Sequence, residues 1–381
     1  MRRSAFLIAA SFLVFACQSG SQSEATAATS DKPFDTTVIA DFDEPWAMTF
    51  VSGTPYALIT EKKGKLLLWQ ADGPVREIKG VPKVAYGGQG GFGDVIMHGH
   101  EDANGEFEIA LSWVEQGAGG YGAVVALAKV DLSSDAPQLR DIRTIWKQSP
   151  KVDGRGHFGH RLAFSSDGKY LFISSGERQK FNPAQDMNAN LGKIVRLNAD
   201  GSTPTDNPFY DAAKPVQSQI WSYGHRNPLG IAFDAQGRLW NQEMGPAGGD
   251  ELNLVKKATN YGYPKVSNGD HYDGKDIPDH KVGDGYEAPK VFWNPSISPG
   301  GLMIYSGDLF KDWKGSAFLG GLGSTSFVRV KLDGENATKA DQWNMDARIR
   351  EVEQGPDGAI WLLEDGDSGS QGRLLKLTPK K

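Results

Sequence analysis

Short runs of apolar, β-branched and aromatic residues recur along the chain between Gly, Asp and Asn punctuation. Tyr56-Ala57-Leu58-Ile59-Thr60, Lys65-Leu66-Leu67-Leu68-Trp69, Tyr170-Leu171-Phe172-Ile173-Ser174 and Ala359-Ile360-Trp361-Leu362-Leu363 are examples. Runs of this length and composition predict strands, and nothing in the pattern supports long helices. A hairpin signal repeats as Ser165-Ser166-Asp167-Gly168-Lys169-Tyr170, Asp234-Ala235-Gln236-Gly237-Arg238-Leu239 and Gly355-Pro356-Asp357-Gly358-Ala359-Ile360. Each sets a glycine in a tight turn, where a positive φ is needed, ahead of a strand. The three glycines are spaced at near one and two repeats of about 60 residues, a period that suits propeller blades. About 350 residues at that period predicts an all-β, six-bladed β-propeller. A large irregular sandwich or barrel is the competing reading of the same strands.

The N-terminus departs from this pattern. Arg2 and Arg3 precede an apolar run from Ala5 to Ala16, the layout of an export signal, and the run falls short of the roughly 20 residues that a membrane-spanning helix needs. Cys17, the sole cysteine, follows in Val14-Phe15-Ala16-Cys17, which resembles the lipobox of bacterial lipoproteins. Two readings stand: lipidation of Cys17, or an ordinary signal peptide with Cys17 discarded. In the first, 1–17 is the signal peptide, 18–33 a Ser, Ala and Thr-rich flexible tether, and 34–381 one folded domain. The expected address is the periplasm, with the outer membrane reached only through a lipid on Cys17. A lone cysteine leaves no internal disulfide.

Charge changes the picture little. With 41 Lys+Arg against 47 Asp+Glu the formal net charge is -6, so the basic excess that nucleic-acid binding calls for is missing. The 47 glycines amount to about 12%, above the usual ~7%, and add to the case for many turns.

Gly88-Gln89-Gly90-Gly91-Phe92-Gly93 matches the dinucleotide fingerprint in letters. The residues after it, Asp94-Val95-Ile96-Met97-His98, read as a strand where that fingerprint requires a helix. Asp365-Gly366-Asp367 fails as a calcium loop because the twelfth position is Lys376, where a bidentate Glu belongs. His157 and His160 sit in the glycine-flanked segment Gly154-Arg155-Gly156-His157-Phe158-Gly159-His160, and His157 reads equally as a general base or as a hydrogen-bonded structural histidine. Gly224-His225-Arg226-Asn227-Pro228 places a cation and an amide at the end of a strand halted by proline. Arg348 and Arg350 share one strand face, which suits a ligand with several carboxylates, or else plain solvation. Met244-Gly245-Pro246 with Asp250-Glu251 offers hard oxygen ligands of the kind calcium takes, or a solvated turn.

Taken in order, these segments resemble the glucose/sorbosone dehydrogenase family, the soluble quinoprotein sugar dehydrogenases. The resemblance runs from Glu44-Pro45-Trp46-Ala47 to Leu374, and includes Leu191-Gly192-Lys193-Ile194-Val195-Arg196-Leu197, Asp206-Asn207-Pro208-Phe209 and Asn260-Tyr261-Gly262. It implies a six-bladed propeller that binds pyrroloquinoline quinone (PQQ) and Ca2+ and oxidises aldose sugars at C1 to aldonolactones, passing electrons to an external acceptor. It further implies His157 as the base for the C1 hydroxyl while hydride passes to the quinone, and Arg226 as the cation facing the charge that develops there. Gln89, Arg226, Asn227, Tyr272, Arg348 and Arg350 would hold the quinone. Carbonyls of Gly245 and Pro246 would hold the calcium beside it, and Glu251 and Tyr261 a second, structural one.

Two positions depart from the family. Gly323 stands where a lysine is common, so Ser324 and Thr325 are expected to replace part of its contact with the quinone. His160 stands where glycine is common, and is expected to lie near His157 and alter its pKa or narrow the sugar site. Two further functions remain compatible with the sequence: an inactive propeller that binds sugar or a protein, and a calcium-dependent lactonase.

Overall fold

The computed structural model describes residues 31–380; the leader, Cys17 and the first part of the tether lie outside the described residues. Among the described residues there are six four-stranded antiparallel sheets and one two-stranded antiparallel ribbon, Ala247–Gly248 with Gly269–Asp270. The innermost strands of the six sheets, Pro45–Phe50, Phe92–His98, Gly159–Phe164, Pro228–Phe233, Pro299–Ile304 and Ile349–Gln354, follow one another around a ring in which each touches the next and the last touches the first. This is the six-bladed propeller that the repeated hairpin predicts. Its one α-helix among the described residues is the single turn Pro215–Ser218.

The strands fall where the apolar runs predict them, at Ala57–Glu61, Lys65–Trp69, Tyr170–Ser175 and Ile360–Glu364. Gly168, Gly237 and Gly358 have φ of 70°, 75° and 79°, the left-handed geometry that a β-carbon disfavours. All three turns join an innermost strand to the second strand of its blade, at one common end of the ring. Phe92–His98 is a strand, so the glycine segment before it is a strand-entry turn.

Ring closure comes from the two ends of the domain. Phe34–Asp41 is the outermost strand of the sixth blade and pairs antiparallel with Arg373–Pro379, Phe34 opposite Pro379 and Asp41 opposite Arg373. Phe34 anchors this clasp: it is buried and meets Trp313, Phe327 and Trp343 edge-on, with ring centroids 6.2, 5.9 and 5.4 Å away. Burying one such ring is worth roughly 1.5–3 kcal/mol.

One expectation is corrected. Pro228 does not halt the strand before it; it opens the innermost strand of the fourth blade, after Ile220–Tyr223 has closed the third. A proline is acceptable at the first residue of a strand because its missing N–H is not needed there.

Candidate active site

The end of the ring opposite the three glycine turns gathers the segments that lead into the innermost strands. Gln89 precedes Phe92–His98, His157 precedes Gly159–Phe164, Arg226 and Asn227 precede Pro228–Phe233, and Arg348 precedes Ile349–Gln354. Sequence-distant residues therefore meet because each occupies the same place in its blade.

A recurring partner fixes these segments. In four blades an acidic residue at or just past the end of the second strand grips the segment entering the same blade's innermost strand. Glu61 accepts the Asp43 amide at 2.8 Å, and Glu177 takes the His157 Nδ1 atom at 2.5 Å. Glu243 accepts the Arg226 amide at 2.6 Å and bonds His225 Nδ1 at 2.9 Å. Asp365 accepts Arg348 Nε at 2.8 Å and Arg350 Nη2 at 2.9 Å.

His157 is 5% exposed and has a φ of 50°, which aims its ring out of the strand line. Its backbone amide donates to Gln89 Oε1 at 2.6 Å. With Nδ1 committed to Glu177, the Nε2 atom bonds to no described residue, and the ring lines a cavity of 230 Å³. Burial lowers the pKa of His157, helped by the charges of Arg226 and Arg178, against the raising effect of Glu177. Burial by itself would raise Glu177, but the His157 bond, the Phe181 amide and the charge of Arg226 outweigh it and hold this carboxyl below its ordinary value. The result is a neutral imidazole with one free nitrogen, oriented by a carboxylate.

Arg226 shares that cavity with His157, Pro246 and Tyr272. Its Nη1 donates to the carbonyls of Met244 at 3.0 Å and Gly245 at 2.5 Å, and its Nη2 meets the Tyr272 hydroxyl at 3.3 Å. Arg226 Nε and Asn227 Oδ1 are buried without a hydrogen-bond partner among the described residues. Buried polar atoms left unpaired point to a ligand that would complete them. Ser222, His225 and Glu243 form a Ser–His–acid chain, with Ser222 Oγ 2.9 Å from His225 Nε2. All three are buried, so this chain holds Arg226 in place and is out of reach of a substrate.

A second cavity of 130 Å³ is lined by Gln89, Arg348, Arg350, Lys62, Asp365 and the Trp46–His160 pair. The Gln89–His157 bond joins it to the first. Arg348 and Arg350 meet at Asp365 as well as at the cavity, although Arg348 precedes the strand and Arg350 sits at a register shift in it, so they are not two steps along one regular strand face. Asp365 entered the sequence analysis only as part of the failed calcium loop. The side chains of Arg348 and Arg350 are 27% and 12% exposed, so they are not solvated surface cations.

The structure does not bring Ser324 or Thr325 to either cavity. Ser324 Oγ meets Ser326 Oγ at 2.6 Å, and Thr325 lies in a left-handed turn with its hydroxyl on Asn344 at 3.3 Å. Leu322 is the residue of that segment that faces the arginines. His160 also departs from expectation. It lines the arginine cavity, away from His157, and stacks on Trp46 with centroids 5.0 Å apart and planes 8° apart. Ser112 Oγ holds its Nδ1 at 2.9 Å, and burial brings its pKa down to about 3. A neutral imidazole there adds no charge next to the base.

The acidic loop resolves into distinct roles. Asp250 accepts the amides of Gly245, Ile297 and Ser298 and the Ser296 hydroxyl, which makes it the organiser of the loop. Glu251 is buried beside Glu243, and burial together with that neighbouring charge pushes its pKa well above the carboxylate range. Both line a cavity of 10 Å³ with Gly224, Gly245 and Gly249, room for about one water-sized species. The Tyr261 hydroxyl is turned to the Leu254 carbonyl at 2.6 Å, and its ring stacks on His225, so only its carbonyl is left for a cation. Among the described residues no group of three or more His, Cys, Asp or Glu side chains is gathered around a metal position; a cation here would lean on backbone carbonyls.

Known proteins share this chain's sequence pattern and fold. The model of the glucose/sorbosone dehydrogenase family matches residues 42–376. The aldose sugar dehydrogenase YliI of Escherichia coli (strain K12) is 38% identical over 89% of this chain and 91% of its own length. The apo-form crystal structure of the soluble aldose sugar dehydrogenase from Escherichia coli superposes with a TM-score of 0.83 at 37% identity, covering 91% of this chain and 100% of that one. The PQQ-bound form of the aldose sugar dehydrogenase from Streptomyces coelicolor gives a TM-score of 0.74 at 26% identity, covering 91% and 98%.

Proposed function

Because the chain belongs to the glucose/sorbosone dehydrogenase family, an oxidoreductase family, we propose that it oxidises aldose sugars at C1 to aldonolactones using PQQ and Ca2+. The observation that carries this reading is the meeting of the His157–Glu177 pair and Arg226 around one cavity, joined to a second that presents Arg348 and Arg350. When bound, the quinone supplies a hydride acceptor and the calcium a Lewis acid that polarises it.

The donor set suits a flat, multiply charged quinone. Arg348, Arg350 and Lys62 answer carboxylates, Gln89 adds an amide, and the unpaired Arg226 Nε and Asn227 Oδ1 await polar partners. The two cavities, of 130 and 230 Å³, are joined through the Gln89–His157 bond, so the donors for a quinone and the proposed base lie next to each other. For calcium, Gly245 and Pro246 lie beside Arg226, while the Glu243–Glu251 pair and the Tyr261 carbonyl suit a second, structural ion. Two buried carboxylates side by side call for a cation or a proton between them.

The hydrogen bonds support the reaction roles in this reading. Glu177 fixes His157 with the proton on Nδ1, leaving Nε2 to take the proton of the C1 hydroxyl. Arg226 presents a fixed positive charge toward the site where negative charge grows, and its two carbonyl acceptors and Tyr272 stop it from swinging away. The electrons then leave to an external acceptor.

The N-terminal reading belongs to the same proposal: export to the periplasm, with Cys17 lipidated at the outer membrane and the tether leading to a single domain from residue 34. Mass spectrometry of the mature N-terminus from the membrane fraction tests it, and an unmodified chain cleaved elsewhere would refute the anchor. The enzymatic reading is tested by His157→Ala, which removes turnover while quinone titration of the apo-protein is preserved; unchanged turnover would remove His157 from the role of base.

A further inference from the structure

The turn after Glu177 is wound against the preference of its own residues. Arg178, Gln179 and Phe181 have φ of 64°, 58° and 61°, a region that side chains disfavour and that persists only where the surroundings enforce it. The enforcing group is the Glu177 carboxylate. Besides His157 it accepts the amides of Gln179 at 2.9 Å, Lys180 at 2.5 Å and Phe181 at 2.6 Å. Arg178 locks the other side, giving its guanidinium to the carbonyls of Tyr121, Gly154 and Gly156.

The product of this winding is an aromatic side chain held out where burial does not explain it. Phe181 is 43% exposed and lines the 230 Å³ cavity together with His157, Arg226, Gln179 and Asp273. His271 meets its ring edge-on at 5.5 Å and Tyr263 lies 6.4 Å away, so the ring is braced at one side and open at the other. A sugar ring is two-sided in its chemistry, with C–H bonds on its faces and hydroxyls around its rim. A flat aromatic wall suits the face, and Gln179, Asp273 and the Tyr272 hydroxyl suit the rim.

We propose that Phe181 is the specificity-determining wall of this site, receiving the C–H face of an aldose in its ring form. Glu177 is then a positioning residue for two things at once, the base and the wall against which the sugar lies. The inference rests on the reading of this cavity as the sugar site.

The test measures binding of methyl β-D-glucopyranoside, whose blocked C1 prevents oxidation, to the quinone- and calcium-loaded protein by saturation-transfer NMR. It compares wild type, Phe181→Ala and Phe181→Leu, the leucine keeping apolar bulk without a flat face. The expected result is about tenfold weaker glycoside binding in both variants, the scale of one lost aromatic contact, with quinone affinity preserved. Dye-linked assays with glucose then show KM rising by more than kcat falls. Wild-type glycoside affinity in Phe181→Ala overturns the inference, and wild-type affinity in Phe181→Leu overturns the role of the ring. A wild-type protein that neither binds nor oxidises any aldose overturns the sugar-site reading itself and the inference with it.

Discussion

The Nδ1 atom of His157 lies 2.5 Å from Oε1 of Glu177, across 20 residues of sequence and between two strands of one blade. That contact fixes which imidazole nitrogen is free, and so makes a hydrogen-bonded histidine and a general base the same residue. Replacing the carboxylate by an amide keeps the volume but lets the ring take the other tautomer. Glu177→Gln is expected to lower kcat about 100-fold or more, the usual worth of a positioned base. Quinone affinity, measured by titration of the apo-protein, is expected to hold.

The acid limb of the rate profile follows from the direction of the His157 shift. Burial disfavours the imidazolium, so the folded protein accepts this proton only below the ordinary histidine value of about 6.5. Activity of the neutral base is therefore retained as pH falls to about 6.5 and is lost only beneath it. A profile of kcat/KM against pH for the wild type checks this; an acid midpoint above that value would count against it.

His160 provides a control for the same profile. It stacks on Trp46 and bonds Ser112 in the other cavity. His160→Gln is expected to leave the acid limb where it is and to reduce stability by about 1–2 kcal/mol through the lost stack and hydrogen bond, read from urea denaturation.

Asp365 holds both cavity arginines. Asp365→Ala leaves two neighbouring guanidiniums uncompensated, and the expected loss is about 2–4 kcal/mol in chemical denaturation, since breaking a buried ion pair strands its partner. Quinone binding is expected to weaken as well, because the guanidiniums lose the group that presets them.

Glu251 has its pKa pushed up by burial and by Glu243. Calcium is expected to raise the melting temperature of the wild type, the stabilisation reaching about 2.7 kcal/mol at a hundredfold excess over Kd. In Glu251→Gln that calcium-dependent shift is expected to shrink to what the ion at Gly245 and Pro246 contributes. A shift of equal size in the variant would place the structural ion elsewhere.

The strand runs and the blade repeat were legible because they depend on local chemistry: apolar runs of strand length and glycine turns such as Asp167-Gly168 announce themselves within a few residues. The clasp was not. Phe34–Asp41 and Arg373–Pro379 pair from opposite ends of the domain, and no local signal states which strand completes a blade. His157, Arg226 and Arg348 stood out, while their pairing with Glu177, Glu243 and Asp365 did not, because each pair forms only when its blade folds. A signal was nevertheless present: Ala57-Leu58-Ile59-Thr60-Glu61, Leu239-Trp240-Asn241-Gln242-Glu243 and Ile360-Trp361-Leu362-Leu363-Glu364-Asp365 all end a buried strand on an acid. Ser324 and Thr325 were misplaced for the opposite reason. Their residue types suit a polar ligand, but the left-handed turn at Thr325, invisible in the residue pattern, sends their hydroxyls elsewhere.

The most direct test of the account is titration of the purified apo-protein with PQQ and calcium, followed by an aldose panel with an electron-accepting dye. The account predicts saturable, calcium-dependent dye reduction that requires both the quinone and a free C1 hydroxyl. Saturable quinone binding with no reduction by any aldose would contradict it.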